Sequence, residues 1–282
     1  MSASTIEAAP VPEAFSDDDA AQARFEATRR YLAWRRRLLP VIATAAILII
    51  WELSVHFFDI KPYIAPAPTA VAVKFVEKFG LLMANLGPTA IEAVTGFLLG
   101  NIAAVLIATS FVYQRTVEEA FFPVAVMVHT VPVMAYAPIL VLLLGNGMAA
   151  KIAIAALICF FPTLVNMTRG LRNVNPQHLE LMRILSASPT EIFFKLRFKN
   201  SLPYLFSALK IAAATSVIGA IVGEWIGSTT GIGALIIQAT YNFDSPLLYA
   251  TIVVGSCFSA FFFGVISWAE RMSLKWNVAE TV

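Results

Sequence analysis

Residues 169–203 read RGLRNVNPQHLELMRILSASPTEIFFKLRFKNSLP, a polar and basic island between two long apolar stretches. The island punctuates itself. Asn175-Pro176 opens one short helix and Ser188-Pro189 opens a second. In each pair the first residue caps the helix, and the proline suits the first helical position, where its missing N–H costs nothing. Ser188 and Glu191 also have the spacing of a capping box, in which the two side chains satisfy each other's orphan donors. The spacing predicts a helical hairpin, QHLELMRILS then TEIFFKLRFK, held outside a bilayer between two membrane spans. Ile192, Phe193, Phe194 and Phe198 are expected on its surface, and apolar residues on a solvated loop need a partner to cover them. A short helix laid in a partner's groove buries such residues and passes motion on.

Working outward, the bilayer follows from composition. The 282 residues are 59% hydrophobic and 13% charged, more apolar surface than a soluble domain of that length can hide. A spanning helix needs roughly 20 mostly apolar residues. Six stretches qualify: 38–58, 88–112, 120–144, 149–168, 203–226 and 247–270. The fold class is therefore all-α, a polytopic membrane protein of six spans. A cleaved signal peptide is not expected, because the first apolar run follows an acidic leader and starts near residue 38. Residues 1–22 read as disordered and residues 23–37 as a basic amphipathic helix, together a cytoplasmic tail of 1–37. The membrane body then covers 38–276 with the hairpin at 172–202, and 277–282 form a second tail. Residues 70–82 read as a surface helix.

Lys and Arg placement sets the orientation. With the N-terminus inside, sixteen fall on the inner side: Arg24, Arg29, Arg30, Arg35, Arg36, Arg37, Arg115, Arg169, Arg172, Arg183, Lys195, Arg197, Lys199, Lys210, Arg271 and Lys275. Lys61, Lys74, Lys78 and Lys151 are the four outside. The positive-inside rule puts both termini and the hairpin in the cytoplasm. The net charge of +2 carries no signal for nucleic acid, and the basic run RRYLAWRRR reads as a topology anchor at the headgroups. Cys159 and Cys257 lie inside spans and suggest neither a disulfide framework nor a metal site.

Within the spans, the third carries Pro123, Pro132 and Pro138 around His129 and Tyr136. Freed carbonyls need protein or water in lipid, so this span is expected to be kinked and inward-facing. The fifth is rich in small residues, among them Ser216, Gly219 and Gly223, which let helices approach closely. Those three are expected at a pore or at a two-fold seam, with His129 and Tyr136 near the cavity wall. His129 is either pore-lining or a buried, hydrogen-bonded ring. Glu224 is either a pathway or gate residue or a paired or wet carboxylate at the interface. Glu52 and His56, one turn apart, read as a local pair. STTGIGALIIQAT after the fifth span reads as a re-entrant, gate-like segment. No Ser/His/Asp set, paired carboxylates or Cys/His cluster sits at usable spacing, so no catalytic residue, metal or cofactor is expected. A secondary transporter or channel is the alternative from another class; mid-span charges or an inverted repeat would favour it.

The island, as ELMRILSASPTEIFFKLRFKNSLPYLFSALK, resembles the cytoplasmic loop of ABC importer permeases. Glu180 matches the Glu of that pattern, Ala187-Ser188 the Ala-Ser, Phe193 the recurring Phe, and Leu202-Pro203 a second Leu-Pro. Leu181-Met182 stand in place of Ala-Ala, Ser186 in place of Gly, and Lys199 in place of a proline. IAPAPTAV, VHTVPVMAYAPILVLLLGNG, FFPTLVNMTRGLRNV and GEWIGSTTGIGALI extend the resemblance over 38–276, closest to the nitrate, sulfonate and taurine branch. GEW followed by GIG is similar to permeases for pyrimidine precursors or riboflavin. The resemblance implies the type I importer arrangement in a bacterial inner membrane. It also implies a second permease copy as a homodimer, two cytoplasmic ABC ATPase subunits and a periplasmic or lipid-anchored solute-binding protein. Glu180, Arg183, Ala187, Ser188, Glu191, Phe193 and Phe194 would dock the ATPase. The chain would not be an enzyme, and it contains no G-x-x-x-x-G-K-[ST] phosphate loop.

Overall fold

The computed structural model describes residues 14–274. The chain divides into two units, residues 1–60 and residues 61–282. In the first, α1 (Ala14–Phe57) is one helix, and its portion Trp34–Phe57 is long and apolar enough to cross a bilayer. It starts inside the stretch expected to lack structure. Residues 14–22, AFSDDDAAQ, are rich in alanine, a strong helix former, and contain no proline or glycine. Within α1, His56 Nδ1 lies 2.8 Å from the Glu52 carbonyl oxygen and 3.6 Å from its carboxylate, a local pair. Residues 1–13, Lys275 and the tail 277–282 lie outside the described residues.

The second unit runs α2 (Pro68–Glu77), α3 (Phe79–Tyr113), α4 (Arg115–Thr130), α5 (Val133–Leu144), α6 (Met148–Arg172), α7 (Pro176–Ile184) and α8 (Pro189–Ile192). A π-helical turn (Phe193–Arg197) leads into α9 (Phe198–Glu224), and α10 (Ile232–Tyr241) and α11 (Ser245–Ser273) follow. No strand occurs among the described residues. The surface helix expected over 70–82 ends at Glu77, and Phe79–Leu82 already belong to α3. Lys74 pairs with Asp244 at 3.1 Å, tying α2 to the start of α11.

Helix α6 is the axis of this unit, packed between α3 and α9. Small residues make the stack close. A Cβ on Gly96 would stand 2.5 Å from Ala155 Cβ, one on Gly100 2.3 Å from the Ala156 carbonyl oxygen, and one on Gly219 2.8 Å from Ala155 Cα. Both flanks of α6 therefore meet glycine faces, the device by which helices associate where lipid removes the hydrophobic drive. At mid-stack Thr163 donates to Asn101 Oδ1 at 2.5 Å, so these buried polar groups satisfy each other.

The third apolar stretch departs from expectation. It is two helices, α4 and α5, bent by 101°, where one kinked span was expected. Pro132 is the cause. The residue before a proline is pushed out of the helical region, and Val131 sits at φ −70°, ψ 125°. Helix α5 has 12 residues, a rise of about 18 Å, too short to cross a bilayer by itself. Pro123 and Pro138 are accommodated inside α4 and α5.

Candidate functional site

The island between α6 and α9 caps as its sequence requires. The Asn175 side chain accepts from Gln177 N at 2.9 Å. Ser188 Oγ accepts from Glu191 N at 3.3 Å, Glu191 Oε2 accepts from Ser188 N at 3.0 Å, and Lys195 Nζ reaches Glu191 Oε1 at 2.8 Å. Between the two arms Ser186 turns the chain with φ 55°, while Ala187 N donates back to the Met182 carbonyl at 3.0 Å. The second arm does not stand apart from the span that follows. It continues through the π turn into α9, so residues 189–224 form one 36-residue run of helix. Arg197 donates to the Leu171 carbonyl at 3.1 Å and Arg172 pairs with Glu118, fastening the base of the hairpin to α6 and α4.

The docking residues divide. Glu180, Arg183, Ser188, Glu191 and Phe194 are exposed, and Ala187 is half-buried. Glu180 and Arg183 line a shallow concavity with Pro176, Leu179 and Ile184. Ile184 and Leu185 are 74% and 67% exposed, an apolar tip that the sequence reading did not single out. Phe193, expected on the surface, is buried. Its ring centroid lies 5.5 Å from that of Tyr113, and it packs with Phe111, Leu164 and Leu171. It anchors the hairpin to the spans, because the π turn directs it inward while Phe194 points out. Ile192 and Phe198 are half-buried.

The pathway residues divide as well. His129 and Tyr136 line a half-open cavity of about 740 Å³ between the α4–α5 elbow, α3 and α6. The His129 imidazole stacks on Phe161, with centroids 4.1 Å apart and planes at 14°. Ser216, Gly219 and Gly223 do not face this space. They are buried within the chain against α6, Gly219 on Ala155 and Gly223 on Lys151 and Ile154. Small residues here serve a seam inside one chain; the residue of α9 that reaches the cavity is Ile218.

Glu224 is a paired carboxylate. It is 1% exposed and works as a clasp. Oε1 accepts from Thr89 Oγ1 at 2.6 Å, and Oε2 from Gly233 N at 2.5 Å. Ile232 N donates to Thr89 Oγ1 at 2.8 Å and Gly231 N to Asn85 Oδ1 at 3.0 Å. The N-terminus of α10 is thus held by one carboxylate and by two side chains of α3. Glycine is required there: Gly231 has φ 109°, and a Cβ on it would fall 2.0 Å from Glu224 Oε1. Beside the clasp, Lys151 Nζ donates to Ser228 Oγ at 2.8 Å and lies 3.5 Å from Glu92 Oε1, with Glu92 2% exposed. Lys151, counted as an outside cation, is therefore buried. Sequence reasoning passed over Asn85, Thr89 and Glu92. Glu92 had a signal, being the single charged residue of the stretch 88–112.

Residues 96–274 match the family of binding-protein-dependent transport system inner membrane components. The chain belongs to that family. It is 33% identical to a probable ABC transporter permease protein of Haemophilus influenzae over 243 residues, covering 86% of this chain and 99% of the relative. The formylaminopyrimidine transport permease ThiX of Halalkalibacterium halodurans is 31% identical, with 85% and 96% covered. The riboflavin transport permease RibX of Chloroflexus aurantiacus is 29% identical, with 87% and 92% covered. Among solved structures, the inward-facing MetNI methionine ABC transporter matches with TM-score 0.53 at 17% identity, over 74% of this chain and 98% of that one. That likeness is one of fold. This binding-protein-dependent component is thus a multi-pass permease subunit of an ABC importer and not an enzyme, and the alternative of an ATPase-independent transporter or channel falls away.

Proposed function

We propose that this permease works as a two-fold pair, with one cytoplasmic ABC ATPase on each hairpin and a solute-binding protein on the opposite face. Both termini and the hairpin lie in the cytoplasm. The observation that carries this reading is a pre-shaped hairpin whose apolar tip, Leu181, Ile184, Leu185 and Phe194, is exposed and whose second arm runs without a break into α9. Side chains of this kind on a capped, rigid element are the half of an interface that a groove covers. ATP closes the ATPase pair and drags the hairpins together. Through the arm that continues into α9 the spans rotate, and the cavity opens toward the binding protein. Hydrolysis resets the pair. The energy enters only as the differential affinity of ATP for the two arrangements. The cargo is a small nutrient handed over by the binding protein, and the resemblance to ThiX and RibX favours a ring-containing one.

The test separates assembly from folding. Glu180→Lys reverses a charge in the concavity, and Ser188→Trp removes a cap and adds bulk. Both variants are expected to insert normally and to lose the ATPase on co-purification in detergent. Full retention of the ATPase with normal uptake in both variants would remove the docking assignment.

A further inference from the structure

Three chargeable side chains meet inside the membrane body, and their signs do not balance. Glu92 of α3 is 2% exposed, Glu224 of α9 1% and Lys151 of α6 6%. Two carboxylates against at most one ammonium leave a net negative charge in a buried cluster, an arrangement that is costly to hold. The hydrogen bonds say where the imbalance sits. Glu224 uses both oxygens as acceptors, from Thr89 Oγ1 and from Gly233 N. The Thr89 hydroxyl goes to Glu224 at 2.6 Å in preference to the Asn85 carbonyl at 3.2 Å, and its oxygen receives Ile232 N. The Ser228 hydroxyl donates to the Thr230 carbonyl at 2.7 Å and accepts from Lys151. These donors are therefore committed. Glu92 Oε1 faces Lys151 Nζ at 3.5 Å, while Oε2 is buried and accepts from no described residue. Besides Lys151, the group within reach of the Glu92 carboxyl is the Glu224 carboxyl. Two carboxylates in contact offer acceptors alone, and a bond between them needs a proton on one.

We infer that Glu92 and Glu224 form a proton-binding site: one proton, on Glu92 Oε2, is donated to the Glu224 carboxylate and completes the clasp on α10. The site stands on the geometry of one chain and does not depend on ATPase docking. With the proton in place the cluster is neutral, one acid beside one ammonium and one carboxylate. When the proton leaves to bulk water, the two carboxylates repel and Glu224 is drawn away from Thr89 and Gly233 N. The other groups facing the cluster keep their charge: Asn85 and Thr89 from α3, Ser228 from the turn after α9, and the backbone amides that open α10. Helices α2 and α11 meet α10 through apolar residues, Val71, Leu247 and Val254 among them, and Lys74 and Asp244 answer each other at 3.1 Å. Proton loss therefore loosens the start of α10, and alkaline conditions favour the loosened form.

The full permease is reconstituted in phospholipid vesicles, with Glu92→Gln and Glu224→Gln in parallel. The infrared difference spectrum of wild type minus Glu92→Gln, at neutral pH, is expected to show a carboxylic-acid carbonyl band that the variant lacks. Amide exchange across 231–236, corrected for the intrinsic effect of pH, reads the clasp. It should rise several-fold in wild type between neutral and alkaline pH. Glu92→Gln keeps a donor toward Glu224 and cannot ionise, so its exchange should match neutral wild type at both pH values. Glu224→Gln loses charge-assisted acceptors and should exchange about ten-fold faster or more throughout. A carboxylate band in place of the acid band, wild-type exchange that ignores pH, or pH-driven opening that persists in Glu92→Gln would overturn the proton site. So would a Glu92→Gln variant that opens as far as Glu224→Gln, because Glu92 would then serve Lys151 as a simple ion-pair partner.

Discussion

Ser186 shows what one residue costs. Its φ of 55° is the left-handed conformation in which an L side chain crowds the backbone. Ser186→Gly is expected to stabilise the turn by about 0.5–1 kcal/mol, the relief of strain less the extra freedom of the unfolded glycine. The readout is amide exchange across 182–188 in vesicles, slower by about two- to five-fold. Faster exchange would mean that the hydroxyl, not the backbone, governs the turn. The caps at Asn175 and Ser188 were legible because capping is local and has its own residue code. The clasp was not. Glu224 meets Thr89 across 135 positions of sequence, and no local pattern announces such a partner. The GIG stretch pointed to a re-entrant, gate-like segment; only the fold shows that its glycines make room for a carboxylate.

At the scale of elements, apolar length found the spans, and proline found the weak point of the third. Proline spacing could not say whether a helix bends or breaks, because that depends on what receives the freed carbonyls. Face assignment also failed where two explanations share one sequence signature. A stripe of small residues suits a pore, a dimer seam or an intrachain seam equally, and in α9 the last of these holds. The consequence separates two neighbouring substitutions. Gly219→Leu forces a side chain against the Ala155 backbone and should cost about 1–3 kcal/mol of packing, read as aggregation after mild heating in detergent. Ile218→Trp points into the cavity and should keep that heat resistance while uptake in vesicles falls several-fold. If the two variants exchange these phenotypes, α9 is rotated relative to the seam described above.

For the whole molecule, the charge count remains the guide to orientation even though one of its four outside cations, Lys151, proves to be buried. Removing it sharpens the asymmetry. A cysteine at Thr190 should react with an impermeant maleimide only from the cytoplasmic side, and cysteines at Ser228 or Pro68 only from the other, in a background lacking Cys159 and Cys257. Reaction of Thr190 from outside would invert the molecule and with it the ATPase model. Fold class and hairpin were legible at this scale because both follow from composition and local spacing. The cavity was not, because residues from five elements build it. One further consequence follows from the unbroken run 189–224, whose ends are the capped turn at Ser188 and the clasp at Glu224. At 1.5 Å per residue it is a rod of about 54 Å, longer than the hydrocarbon layer is thick. Held near one end and tilted by about 10°, such a rod sweeps its far end through about 9 Å. Under the docking proposed above, a lever with that arm would turn a modest push on the hairpin into a displacement of its far end as wide as a small nutrient molecule.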